Sequence, residues 1–341
     1  MIRSAEVSID RALDYLHESQ LPSGQFPMEV TIRDPVSGEA RTASEMSPFC
    51  TSYIASSLGG LSDVRSTKMI AAALEFFERE KVRGGLWRYW CKAAPLHQQV
   101  PADVDDTACI SEVLARLGNG GPNNESLLLA NRSRDGLFYT WMVPRRDARI
   151  DLRWWWTILG DMNRGRAFDF WHGGAARDDV DGVVNANVLL YLGERKGTER
   201  VIAWLEEQSR ERREASSDKW YRSTAAFYYA LSRCFERGIE SFASVKARMV
   251  EAFDDMVAPG GQVGGDPLQT ALALCAIVNF GLPADRYEKS FAYLIEAQHD
   301  DGGWGSFPFY HDGRPAPLMS FASRAVTTGF CIEALSHVAA S

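Results

Sequence analysis

Tyr293-Leu294-Ile295-Glu296-Ala297-Gln298, followed by Asp301-Gly302-Gly303-Trp304, points to a repeat, because the same arrangement stands near the start of the chain. There it runs Arg11-Ala12, Tyr15-Leu16, Gln20 and then Gly24-Gln25-Phe26. Degenerate copies read Phe76-Phe77 with Lys81 before Gly85-Leu86-Trp87, and Asp135-Gly136-Leu137-Phe138. In each copy a helix stops, a glycine turn follows, and an aromatic residue comes two positions after a glycine. The chain then enters a second, more apolar helix. Glycine accepts the left-handed backbone that ends a helix. The glutamine can bond free backbone groups there, and the aromatic ring can cover those bonds. Helix hairpins that cannot bury a face alone must stack. The expected fold is therefore all-α, an α/α barrel of paired helices in a single domain over residues 1–341.

Periodicity places helices at about 5–19, 48–59, 68–80, 106–117, 183–193, 199–212, 221–236, 242–257, 267–279, 284–297 and 323–338. Convincing strand alternation is absent, so nearly all of the structure is expected to be helix. The net charge of -8 argues against a nucleic-acid partner, which needs a basic face. The six cysteines form no C-x-x-C pair and read as buried, reduced core residues. Met1-Ile2-Arg3-Ser4 lacks the apolar stretch of a signal peptide, and no run approaches the ~20 apolar residues of a membrane span. A cytoplasmic protein is expected. Peripheral contact with a membrane surface is compatible with this.

The glycine turns resemble the QW repeats of squalene–hopene cyclases and their relatives, and a related turn occurs in protein prenyltransferase β subunits. The likeness runs from about residue 5 to 338, as one barrel where full-length relatives usually have two helical domains. Pro101-Ala102-Asp103-Val104-Asp105-Asp106-Thr107-Ala108 is similar to the D-x-D-D-T-A motif of class II terpene cyclases. The resemblance implies that Asp105, the middle aspartate, protonates an alkene or epoxide, with Asp103, Asp106 and Thr107 completing the catalytic motif. Clustered carboxylates suit that chemistry, because like charges a few ångströms apart cannot all ionise and one keeps its proton. Thr107 is expected to support the loop by bonding a carboxylate. The competing reading is a helix N-cap, which any single aspartate in a first turn can supply. In the cyclases a polar partner, often histidine, holds the acid; His172 and Asn185 are the candidates here.

The resemblance implies proton-initiated cyclisation of an isoprenoid small molecule, either a prenyl diphosphate or a prenylated aromatic compound. Protonation itself needs no cofactor. A second acidic run, Asp178-Asp179-Val180-Asp181, leads into Val184-Asn185-Ala186-Asn187. It reads as another capped helix start, or else as a polar patch where Asp178 and Asp181 hold Mg²⁺ with a diphosphate. Cation-stabilising ring faces are expected around the cavity, with Trp87, Phe138, Trp141, Trp155, Trp171, Tyr228 and Phe309 as the candidate wall. Arg222 and Arg324, each just before an apolar helix, are candidate diphosphate ligands at the rim. Arg145, Arg146, Arg149 and Arg153 form a basic stretch that reads as a solvated loop. A carbocation needs a dry cavity, so a cover is expected, from a homodimer partner or from the loop at residues 136–182.

Two rivals remain. A zinc-dependent prenyltransferase β-like barrel needs an Asp/Cys/His set, yet Thr327-Thr328-Gly329-Phe330-Cys331 has threonine where a histidine is wanted. A non-catalytic isoprenoid-binding barrel would not need the intact acidic motif.

Overall fold

The computed structural model describes residues 2–118, 120–145, 152–161 and 174–339. Helix α1 (Ile2–Ser19) leads into strands β1 (Met28–Arg33) and β2 (Ala40–Glu45). Helices α2 (Pro48–Leu58), α3 (Val64–Glu80), α4 (Val104–Leu117), α5 (Glu125–Ala130), α6 (Leu152–Asp161), α7 (Gly182–Leu192), α8 (Glu199–Arg210) and α9 (Thr224–Glu236) follow. Then come α10 (Lys246–Met256), α11 (Pro267–Asn279), α12 (Glu288–Glu296), strands β3 (Pro308–His311) and β4 (Met319–Ala322), and α13 (Arg324–Ala339).

Among the described residues, α2, α4, α7, α9, α11 and α13 touch one another in that order, and α13 returns to α2. They form the closed inner ring of an α/α barrel. Their sequences explain the placement: α11 buries Leu268 and every residue from Thr270 to Ile277, so it has no face to offer solvent. Outer helices such as α8 bury one stripe, Val201, Ile202, Leu205, Gln208 and Ser209, and expose the rest. No described helix is long and apolar enough to cross a membrane.

The glycine turns staple the ring in a repeated way. Gln20 Nε2 donates to Gly24 O and to Met69 O of α3, each at 2.9 Å. Gln298 Nε2 donates to Gly302 O and to Ser8 O of α1, each at 2.8 Å. Each glutamine thus ties its hairpin to the next one. Gly24 and Gly302 both have φ of +88°, and a Cβ on either would lie 2.2–2.3 Å from a carbonyl oxygen of the neighbouring outer helix. Trp87 Nε1 and Trp304 Nε1 donate to Phe77 O and Leu294 O.

The buried backbone N–H two positions after each turn glycine finds a side chain on the following inner helix. Phe26 N–H donates to Thr51, Trp87 to Thr107, Val263 to Thr270 and Trp304 to Thr328. Phe138 N–H donates to Asn185 Oδ1 at 2.8 Å. An unpaired buried amide costs ~1–3 kcal/mol, so each acceptor locks one hairpin into the ring.

One feature departs from the expected nearly all-helical structure. A four-stranded antiparallel sheet, ordered β2-β1-β4-β3, pairs the segment after the first turn with the segment after the last, Val30 opposite Phe321. These strands are short: β1 alternates apolar and polar residues only over Met28–Arg33, and β2 is almost wholly exposed. The sheet sits where α2 and α13 begin.

Candidate active site

At that end of the ring a cavity of about 300 Å³ opens among the starts of the inner helices. Phe49, Tyr89, Trp141, Trp220, Tyr310 and Phe321 supply much of its wall, and Asp103, Asp105 and Asp106 reach it from the first turn of α4. Part of the wall comes from the β3–β4 hairpin, where Tyr310 and Phe321 stack with ring centres 5.0 Å apart. The hairpin thus covers part of the cavity, where a partner copy or the loop at residues 136–182 was the expected cover.

The three aspartates do different things. Asp103 occupies the N-cap position and its Oδ1 accepts from Asp106 N–H at 2.8 Å, so the capping reading describes this residue. Asp105 is not a cap. Its Oδ2 accepts from the Tyr221 hydroxyl at 2.7 Å and its Oδ1 from Asn187 Nδ2 at 2.8 Å. Asn187 also donates to the Tyr53 hydroxyl at 2.9 Å, which fixes the amide's orientation. Burial pushes the Asp105 carboxyl up to about 7, aided by the nearby charge of Asp103, while the bonds from Tyr221 and Asn187 act in the opposite sense. Burial, followed by the charge of Asp103, raises Asp106 well above the ordinary carboxylate range, so Asp106 keeps its proton and Asp103 carries the charge. Burial and the Asp105 charge also raise Tyr221 far above an ordinary phenol, which keeps it a donor.

Asn185 is not the partner of Asp105. It bonds Phe138 N–H and Phe138 O, and it is the turn acceptor of its hairpin. Asn187, two residues on, points to a different side of α7 and meets the acid. Thr107 bonds no carboxylate; its hydroxyl accepts from Trp87 N–H, as Thr51 does from Phe26. His172 and Trp171 lie outside the described residues, as do Arg146 and Arg149.

Of the described aromatic candidates, Trp141 lines the cavity. Trp87 and Phe138 are buried inside their turns. Tyr228 bonds Ser209 and Glu214 away from the cavity, and Trp155 packs edge-on against Trp154. Phe309 stands behind the wall, with ring centres 5.1 Å from Tyr53 and 5.3 Å from Tyr221. Arg222 donates to the carbonyls of Lys219, Asp312, Arg314 and Pro315, and so clamps the β3–β4 turn. Arg324 pairs with Asp301 and donates to Trp304 O. Neither arginine lines the cavity. Arg145 lies over the Tyr139 ring, and Arg153 bonds Asn123 and Ser126.

The second acidic run also divides. Asp178 is exposed, whereas Asp181 is buried and accepts from Thr140 at 2.6 Å and Trp220 Nε1 at 3.1 Å. Asp179 accepts from Trp141 Nε1 at 3.0 Å and pairs with Lys219. These carboxylates orient two cavity indoles, whose rings meet edge-on at 5.5 Å. Asp181 stands at the N-cap position of α7, but Asp218 supplies the cap by accepting from Val183 N–H at 2.9 Å. Asp178 and Asp181 thus sit in different settings, one exposed and one bonded to Thr140 and Trp220, and among the described residues there is no cluster of three or more His, Cys, Asp or Glu that could hold a metal. Thr328, in the segment a zinc site would need, is the acceptor for Trp304 N–H.

No protein-family profile matches the chain, and no curated protein matches it. Solved structures do. A protein from Actinoplanes is similar at 18% identity and a TM-score of 0.73, over 99% of this chain and 100% of that one. A variant of the type II terpene cyclase MstE from Scytonema, in complex with geranylgeranyl dihydroxybenzoate, is similar at 15% identity and a TM-score of 0.69, over 99% and 98%. An ent-copalyl diphosphate synthase from Streptomyces platensis is similar at 20% identity and a TM-score of 0.58, over 90% of this chain and 53% of that one. The chain shares its fold with these structures, the type II terpene cyclase MstE and the ent-copalyl diphosphate synthase among them.

Proposed function

We propose that this protein is a class II terpene cyclase in which Asp105 starts a carbocationic cyclisation by protonating an alkene of an isoprenoid chain. The observation that supports this most is the setting of Asp105: a buried carboxyl on the wall of an aromatic cavity, with a donor on each oxygen. Burial keeps the acid protonated near neutrality. The two donors strengthen it, because the carboxylate left after proton transfer inherits both hydrogen bonds. The alkene's π pair forms the new C–H bond and leaves a cation on the more substituted carbon. The faces of Phe49, Tyr89, Trp141, Trp220, Tyr310 and Phe321 stabilise that cation without offering it a reactive lone pair. Asp103 and Asp106 hold the first turn of α4 in place, and the charge of Asp103 keeps Asp105 from ionising early.

The substrate is a prenyl chain of farnesyl or geranylgeranyl size, free as a diphosphate or attached to an aromatic head. The bound ligand of the MstE variant, geranylgeranyl dihydroxybenzoate, belongs to the second class. Incubation with a panel of prenyl diphosphates and prenylated aromatic acids and quinols, followed by mass spectrometry, tests the proposal. A cyclised isomer of one substrate is expected; recovery of every substrate unchanged would remove it.

A further inference from the structure

We propose that His311 is the base that ends the cyclisation, taking a proton from the final carbocation so that the product leaves as an alkene. This rests on the cyclase reading above.

His311 stands on β3 and lines the cavity. Its backbone N–H donates to Trp220 O at 2.9 Å, and Tyr310 before it bonds the Tyr89 hydroxyl at 2.6 Å, so the strand is held firmly. A terminating base needs a lone pair that faces the cavity, is unprotonated and is not already committed. Among the other polar groups of the wall, Asp106 keeps its proton, and the Gln99 amide and the phenols of Tyr89, Tyr221 and Tyr310 are far weaker bases than an imidazole. Asp312 accepts from Leu318 N–H and pairs with Arg314. Thr140 gives its hydroxyl to Asp181, and Asp103 caps α4. Asp105 has a donor on each oxygen and stands on the α4 wall, where the reaction starts. The imidazole of His311 makes no hydrogen bond among the described residues, on a wall formed by the hairpin instead. Burial and the nearby Arg222 hold its pKa below the ordinary value, which leaves a neutral ring with a free lone pair at neutral pH.

In the step, the C–H bond beside the cation breaks, its electron pair becomes the new C=C bond, and the proton passes to the imidazole nitrogen. The imidazolium releases that proton to solvent when the product leaves. Nothing is oxidised or reduced.

The test compares wild type with His311→Gln and His311→Phe on a substrate that the wild type cyclises, measuring substrate consumption and product ratio separately. Initiation belongs to Asp105, so both variants are expected still to consume substrate. The share of the wild-type alkene should fall by about tenfold or more, in favour of water-capture alcohols or isomeric alkenes. An unchanged product ratio in both variants overturns the role of His311 and leaves the cyclase reading standing. Loss of consumption in both variants, with folded circular dichroism spectra, also overturns it, because a terminating base does not control initiation. Failure of the wild type to cyclise any substrate removes the reading beneath it, and this inference with it.

Discussion

Replacing Tyr221 with Phe probes how the site tunes its acid. The hydroxyl lies 2.7 Å from Asp105 Oδ2, and both residues are buried. The ring contacts with Phe309 at 5.3 Å and Tyr310 at 6.0 Å survive the change, so only the hydrogen bond is lost. A bond to a buried charged group is worth ~1.5–3 kcal/mol, or ~1–2 pKa units at 1.36 kcal/mol each. Tyr221 holds the Asp105 pKa down, so its removal moves that pKa upward from about 7. Two effects of opposite appearance follow. The acid form persists to higher pH, so the alkaline limb of the rate profile moves up by ~1–2 units. The acid is also weaker, so the plateau below that limb falls by ~10- to 100-fold. The assay is a single-turnover pH–rate profile on a substrate that the wild type converts. An alkaline limb that stays in place or moves to lower pH would refute the assignment of Tyr221 as the tuning donor of Asp105.

Three further outcomes are expected from stability measurements. Thr107→Val leaves the buried Trp87 N–H without an acceptor and should cost ~1–3 kcal/mol in denaturant unfolding, while Thr107→Ser should restore most of it. Gly302→Ala should lower Tm by several degrees more than Gly38→Ala; both have positive φ, but the Gly302 Cβ would meet Arg11 O at 2.3 Å and the Gly38 Cβ meets nothing within 4 Å. The folded Asp105 pKa is raised from 3.8 to about 7, so its protonated form stabilises the fold fully at low pH, and that contribution disappears as pH rises through 7. Asp105→Asn should therefore gain stability relative to wild type between pH 5 and pH 8, by ~2–3 kcal/mol, since about two pH units lie between pH 5 and the raised pKa at 1.36 kcal/mol each, read from urea unfolding at each pH. An equal difference at the two pH values would contradict the raised pKa.

The ring was legible because its staples are local. A glutamine, a glycine and an aromatic at fixed spacing make bonds that any copy of the turn must make, so two good copies and two weak ones indicate a repeating hairpin. The sheet was not legible as a sheet, since β1 and β4 come from opposite ends of the chain; a local signal was the six-residue alternation Met28-Glu29-Val30-Thr31-Ile32-Arg33, which does not name its partner strand. The acid cluster was visible as a motif, but its partners were not. Asn187 and Tyr221 meet Asp105 across 82 and 116 residues, a distance no local spacing encodes. One signal for Asn187 was available. Aligning the repeats by their turn acceptors puts Asn185 with Thr107 and Thr51, which assigns Asn185 to the staple and leaves Asn187 as the unexplained polar residue on an apolar helix. The cavity aromatics were hard to read because large rings fill both the turns, as Trp87 does, and the cavity wall, as Trp220 does.

In the proposed mechanism Asp105 delivers the proton, and cyclisation by Asp105→Asn probes that role. The amide is nearly the same size, can accept from Asn187 through its oxygen, and can donate to the Tyr221 oxygen after that hydroxyl rotates. The fold should survive, checked by circular dichroism. Activity should nevertheless fall below detection, because an amide has no proton acidic enough for an alkene. Asp103→Asn caps the helix about as well and should retain measurable turnover, as should Asp106→Asn. If a folded Asp105→Asn protein cyclises the substrate at near wild-type rate, Asp105 is not the acid and the proposed mechanism is wrong.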